Sequence, residues 1–151
     1  MIAENWFLDW RGFMLISKFV AEDRDAVVDL WLTVFPRSTG HNDPGTSIDR
    51  KMAADDGLFF VATDEENVAG TVMAGYDGHR GWLYSVAVSP AFRRRGVGTR
   101  LIRHAESELA RRGCPKVNLQ VIADNSEVVA FYRSLGFQVE ERISMGKLTG
   151  E

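Results

Sequence analysis

The chain has 151 residues, 45% of them hydrophobic and 26% charged, which suits one globular domain able to bury a core without disulfides or a metal. Its net charge of −3 argues against a dedicated nucleic-acid binder, and its single cysteine, Cys114, excludes an intrachain disulfide and gives an oxidising compartment no support. No apolar run reaches the length of a membrane span, and the first twenty residues lack the basic start and unbroken apolar core of a signal peptide, so a cytoplasmic protein with no membrane partner is expected.

Residues 1–13, MIAENWFLDWRGF, read as an N-terminal extension ahead of a domain spanning 14–151. Trp6, Phe7, Trp10 and Phe13 in this segment need something to pack on, and a neighbouring subunit would provide it, which points to a homodimer. From residue 14 the elements follow in order. MLISKFV (14–20) alternates as a first strand. EDRDAVVDLWLTVF (22–35) sets Ala26, Val27, Leu30, Trp31 and Val34 on one helical face with acids in its first turn, and Pro36 ends it. Residues 36–46 are turn chemistry, and a short helix is expected from about Ser47 to Ala54. GLFFVAT (57–63) and VAGTVMAGY (68–76) read as a hairpin pair of strands. DGHR (77–80) is a tight turn before a further strand, GWLYSVAVS (81–89).

The second half changes rhythm. Leu101, Ile102, Ala105 and Leu109 make an apolar face over 99–112, closed by Gly113. KVNLQVI (116–122) alternates as a strand. Asn125 suits an N-cap for a helix bearing Val128, Phe131, Tyr132 and Leu135, closed by Gly136. FQVEERI and SMGKLT can supply one or two final strands. The order β-α-α-β-β-β-α-β-α-β-β implies a mixed sheet with helices on both faces and a parallel strand pair flanking the 99–112 crossover.

Between the strand at 81–89 and the helix from 99 lies FRRRGVGTR. Residues 90–120 carry eight basic side chains (Arg93, Arg94, Arg95, Arg100, Arg103, Arg111, Arg112, Lys116) against two acidic ones (Glu106, Glu108), a local positive field that suits a small anion better than a long polyanion. A helix N-terminus with glycines before it is a ready phosphate site. Neither a Walker loop nor a dinucleotide fingerprint fits, since Thr99-Arg100 follow Gly98 and Leu101 stands where a third glycine belongs. On the residues alone, the loop is either a turn with solvated arginines or an anion site.

The flanking sequence favours the second reading. LYSVAVSPAFRRRGVGTRLIRHAE resembles the acetyl-CoA-binding segment of the GNAT superfamily of N-acetyltransferases, whose Arg/Gln-x-x-Gly-x-Gly/Ala signature follows an apolar strand and a proline, here Pro90. DNSEVVAFYRSLGF resembles a second segment of that family through Asn125, Ala130, Tyr132, Gly136 and Phe137. The resemblance spans about residues 14–148, and NDP, IDRK and GYDGHRG are similar to its YpeA-like bacterial branch. It implies a GNAT-like α/β fold: a mixed, mostly antiparallel sheet of six to seven strands with helices on both faces and a splayed central parallel pair. It also implies transfer of acetyl from acetyl-CoA to a primary amine, on a small molecule or a peptide terminus, by direct attack. A non-catalytic acyl-CoA-binding or sensor module is the alternative.

By that resemblance the cofactor's pantetheine arm pairs with backbone groups of Val86, Ala87 and Val88. Its pyrophosphate rests on N–H groups of Arg94, Arg95, Gly96, Val97, Gly98 and Thr99, with Arg93 bracing the loop and Asn125 near the arm. Tyr132 takes the role of general acid towards the departing thiolate; by pattern alone it is a core aromatic. Relatives often place a glutamate on the strand before the loop, and 81–89 has none. That leaves Asp43, Asp77, His79 and Tyr84 as candidates for proton removal, Tyr84 as a relay. Cys114 follows a helix C-terminus, where the dipole disfavours a thiolate, so it reads as structural. His41, His79 and His104 lack metal-ligand spacing, and no metal is expected.

Overall fold

The structure, a computed structural model, describes residues 14–65 and 67–150; the aromatic extension 1–13, and the dimer contact expected of it, lie outside the described residues. The described chain divides after Gln120 into two compact units. In the first, strands β1 (Met14–Lys18), β2 (Phe59–Asp64), β3 (Asn67–Tyr76), β4 (Gly81–Val88) and β5 (Val117–Leu119) form one sheet in the order β1-β2-β3-β4-β5. The first four pair antiparallel, and β4 pairs with β5 in parallel. The helices are α1 (Arg24–Val34), α2 (Pro44–Ala54) and α3 (Val97–Arg111).

Strand alternation decides which helix each residue meets. Phe59, Val61 and Met73 join Phe19, Val27, Leu30, Trp31 and Ile48 in a core under α1 and α2. Phe59 lies between aromatic partners, stacked on Phe19 with centroids 4.4 Å apart and on Trp31 at 5.8 Å, arrangements that add to simple burial. Phe60, one residue on, points to the opposite face, where the ring of His104 on α3 meets it edge-on at 4.6 Å. Helix α3 buries Val97, Leu101, Ile102, Ala105 and Leu109 along one stripe, as its spacing predicts.

Local chemistry moves some boundaries. Helix α2 begins at Pro44 instead of Ser47, because Asp43 caps it: its carboxylate accepts from the Thr46 N–H at 3.0 Å and Pro44 occupies the first turn, a favoured N-terminal arrangement. Near the other end of α2, the buried Lys51 ammonium donates to Asp56 at 2.8 Å and to the Ala74 carbonyl on β3. Both partners offset the desolvation of the charge and pin the helix to the sheet. Helix α3 starts at Val97, two residues before Thr99, since Gly96 adopts φ +75° and turns the loop directly into the helix.

The second unit contains α4 (Ser126–Ser134), capped by Asn125, whose side chain accepts from the Val128 N–H at 3.2 Å. Gly136 closes the helix at φ +95°, and the Phe137 N–H bonds back to the Tyr132 carbonyl at 3.1 Å. The expectation of six to seven strands needs correction. Five strands form among the described residues, and FQVEERI and SMGKLT contribute none. Glu140, Glu141 and Arg142 put three charges in succession, poor strand formers. The Arg142 N–H bonds to the Glu140 carbonyl at 2.9 Å, a local turn that spends a group a ladder needs. Strand β5 is likewise three residues long where 116–122 was expected. Among the described residues no helix is long and apolar enough to cross a membrane.

Gly70 on β3 lies close against α3 and β4. A Cβ there would stand 2.7 Å from the Ala87 carbonyl oxygen and 2.9 Å from Leu101 Cδ1, closer than packed atoms tolerate. We expect Gly70→Ala to cost about 1–3 kcal/mol through overpacking. Urea unfolding checks this, and a midpoint equal to wild type would refute the contact.

Candidate functional site

An irregular stretch of backbone lies on β4. In the β3–β4 register Met73 faces Tyr84, but Thr71 faces Ala87, so β4 carries one extra residue at Ser85–Val86. Ser85 takes φ +50°, a left-handed value that costs a non-glycine residue about 1–3 kcal/mol unless its surroundings hold it. A bulge of this kind exchanges the faces of everything beyond it. Leu83 lies opposite Ala74 on the α3 side, whereas Ala87, four residues on, lies opposite Thr71 and packs in the core under α1.

The bulge is held from inside the sheet. Thr71 is fully buried; its hydroxyl donates to the Ser85 carbonyl at 2.9 Å and accepts from Trp31 Nε1–H at 2.9 Å. It also coincides with the end of the parallel pairing, which runs from Gly81 opposite Val117 to Leu83 opposite Leu119. Beyond that point the Ser89 N–H bonds to Ala69 on β3 at 2.8 Å. Strand alternation then turns Ala87 towards β3, and the N–H groups of Val86 and Val88 towards the side where β5 has stopped. Of the three residues expected to offer a backbone edge, Val86 and Val88 are so directed and Ala87 is not.

Strand β4 leads into the basic loop. Residues 90–92 form one 3₁₀ turn, and Arg94 (φ +63°) and Gly96 (φ +75°) are both left-handed, which folds the backbone so that successive N–H groups face one direction. No side chain caps α3, and its first helical bond from this turn runs from the Arg100 N–H to the Gly96 carbonyl at 3.0 Å. The N–H groups of Val97, Gly98 and Thr99 therefore have no partner within the helix, and the positive end of its dipole lies there. This donor set fits a phosphate. The arginines divide their work. Arg95 lies 5.4 Å over the Phe92 ring, Arg100 donates to the Met14 carbonyl at 3.0 Å, and Arg93 and Arg94 are exposed.

Tyr84 stands on the strand before the bulge, exposed, with the Lys51 ammonium 5.4 Å from its ring centroid. Two acids considered for proton removal have structural duties. Asp43 caps α2, and Asp77 accepts from the backbone N–H groups of His79 at 2.8 Å and Arg80 at 2.7 Å. Bonds from Thr46 hold the Asp43 carboxyl below its ordinary value, and those from Arg80 and His79 do the same for Asp77, making both weaker bases. The Cys114 thiol donates to the Lys116 carbonyl at 3.3 Å. His104, packed on Phe60, is driven below its ordinary pKa by burial. Among the described residues, no three His, Cys, Asp or Glu side chains gather as a metal site would require.

In the second unit Tyr132 is the buried residue of α4. Its ring meets Phe137 edge-on at 5.7 Å and lies 5.1 Å from Phe131. Asn125 spends its carbonyl oxygen on the α4 cap.

Residues 24–137 match the model of the acetyltransferase (GNAT) family. Among solved structures, the chain resembles the ribosomal-protein-S18-alanine N-acetyltransferase from Escherichia coli at 26% identity and TM-score 0.68, covering 83% of this chain and 78% of that one. It resembles Ard1 from Thermoplasma volcanium at 25% identity and TM-score 0.76, covering 84% of each chain. PaiA N-acetyltransferase from Thermoplasma acidophilum, solved in complex with coenzyme A, shares the fold at 18% identity and TM-score 0.75, over 87% of this chain and 93% of that one.

Burial pushes the Tyr132 phenol up from 10.0 to about 12. A raised acid contributes stability that is complete below its unfolded pKa and is lost as pH rises through the folded one. The loss therefore falls between pH 10 and about 12. A difference titration of tyrosinate absorbance, wild type minus Tyr132→Phe, should show one step near the upper value; a step at 10 would mean the ring is solvated.

Proposed function

The chain belongs to the acetyltransferase (GNAT) family, and from that premise we propose that it transfers acetyl from acetyl-CoA to a primary amine by direct attack. The observation that carries this is the join of β4 to α3. A strand edge freed beyond Leu83 leads into a left-handed turn and an uncapped helix N-terminus. An amide-bearing arm ending in a diphosphate matches both halves, the arm along Val86 and Val88 as an added strand and the diphosphate on the N–H groups from Arg94 to Thr99. Arg93, exposed at the loop, supplies field, and Asn125 takes a minor part beside its cap.

The reaction balances within these groups. The neutral amine nitrogen forms a bond to the thioester carbonyl carbon, the C–S bond breaks, and the electron pair leaves on sulfur. The nitrogen gives up one proton and the sulfur takes one. We assign the second proton to Tyr132, whose raised pKa of about 12 keeps it protonated at neutral pH. Against a thiol near 8.5 it is a weak acid, so it acts first as a hydrogen-bond donor to the developing thiolate. Net transfer closes when solvent restores the phenol's proton and takes up the one released by nitrogen. Tyr84 is assigned to relay the nitrogen's proton, through water, since Asp43 and Asp77 are committed to caps.

The acceptor is assigned as an amine of a small molecule or a peptide terminus. The S18-alanine enzyme acts, as its name states, on an alanine of a ribosomal protein, which favours a terminal amine. We retain the YpeA-like branch and a cytoplasmic setting on the same footing. The absence of any carboxylate on β4 (GWLYSVAV) favours one other reading, a CoA-binding module without turnover.

Saturating acetyl-CoA should raise the melting temperature, by about 2.7 kcal/mol of linkage at a hundredfold excess over Kd. Gly98→Glu should abolish the gain by placing a negative charge at the helix N-terminus. An unshifted wild-type melt would reject the binding site.

Tyr132→Phe should lower kcat by about 10²–10⁴ with acetyl-CoA affinity kept. Turnover within a few-fold of wild type would make Tyr132 a packing residue. Release of free CoA with some amine separates an enzyme from a sensor, and release with none would favour the sensor.

A further inference from the structure

We infer that Thr71 is a positioning residue for the acyl-CoA edge of β4, acting through the Ser85 bulge; this rests on the reading of Val86 and Val88 as that edge. The bulge is strained, since Ser85 holds φ +50° where glycine would be at ease. Strain of this kind persists only if something over-determines it. The structure offers one such restraint on the bulge carbonyl, the Thr71 hydroxyl, which donates to Ser85 at 2.9 Å.

That hydroxyl has a single proton to give, and the Trp31 indole N–H, arriving at 2.9 Å, occupies a lone pair and directs the proton to Ser85. Thr71 is 0% exposed and Trp31 2%, so neither bond competes with bulk water, and loss of one partner strands another polar group in the core. Nothing in the chemistry of the join touches Thr71 directly. Its contribution is to keep the exchange of faces at Ser85 from slipping, so that Val86 and Val88 stay directed away from β3. A slip by one residue would turn both N–H groups into the β3 ladder and remove the edge.

Three proteins test this: wild type, Thr71→Ser, which keeps the hydroxyl and loses a methyl group, and Thr71→Val, which keeps the shape and loses the hydroxyl. Each is studied well below its melting temperature by amide hydrogen exchange of residues 82–90 without ligand and by calorimetric titration with CoA. Both variants should lose stability. Only Thr71→Val should show faster exchange at Ala87 and Ser89, whose N–H groups face β3, and a Kd for CoA weakened about tenfold, the range one buried hydrogen bond supports. Thr71→Ser should stay within about threefold, and this split is what a purely structural threonine would not produce. Should Thr71→Val fail to fold, Thr71→Cys, of similar size with a weak donor, is judged by the same criteria. Unchanged exchange in the hydroxyl-free variant overturns the clamp whatever CoA does. Faster exchange with unchanged CoA affinity overturns its link to the acyl-CoA edge. If wild type fails to bind CoA, the site reading falls and the link with it, while ligand-free exchange still judges the clamp.

Discussion

One extra residue on β4 carries most of the architecture around the candidate site. Up to Leu83 the strand is an ordinary central member, with β3 on one side and β5 on the other. Past Ser85 its faces are exchanged and β5 has stopped. Among the described residues the parallel pairing ends at Leu83, and the strand delivers the chain into the basic loop. A regular strand over the same residues would have extended the ladder and left no backbone free on the β5 side. The cost is a left-handed serine, met by a buried hydrogen-bond chain rather than by a glycine.

Electrostatics on this acidic protein are arranged locally. The three consecutive arginines look like the anion-binding feature, yet all three are exposed, one of them lying over Phe92. The converging donors are backbone N–H groups set by Arg94 and Gly96, at the positive end of a 15-residue helix. Backbone donors are fixed by the fold and lose little entropy on meeting an anion, whereas arginine side chains must be ordered to do the same. Two acids that were candidates for proton removal, Asp43 and Asp77, are held ionised by the backbone groups they cap. Lys51, buried beside Tyr84, is neutralised by Asp56. Charge near the site thus serves mainly to hold α2 and the β3–β4 hairpin in place.

The periodic elements were legible from the residues, because helix and strand periods write themselves into apolar spacing. α1, α3, α4 and the β2–β3–β4 hairpins stand where the pattern puts them, within a few residues. Punctuation was legible too: Gly96, Gly113 and Gly136 all close or open helices at positive φ. The final strands were not. FQVEERI has alternation in plenty, but a strand needs a partner, and a partner is not written in the segment itself. Thr71 and Lys51 escaped for a related reason. Each is an unremarkable residue locally, and each acquires its role from groups 14 to 40 positions away in the chain.

The amino-acid sequence by itself determined the family, the class of fold and the loop at 93–98, since glycine at a helix N-terminus and apolar period are local properties that survive any arrangement of the rest. It also marked Tyr132 as aromatic on a buried helical face. Only the tertiary structure decided which way the backbone groups of β4 point, because a one-residue slip at Ser85 changes no composition and reverses every side chain after it. It likewise decided that the Tyr132 phenol titrates near 12 instead of 10, since desolvation depends on what surrounds a ring in space and not on its neighbours along the chain.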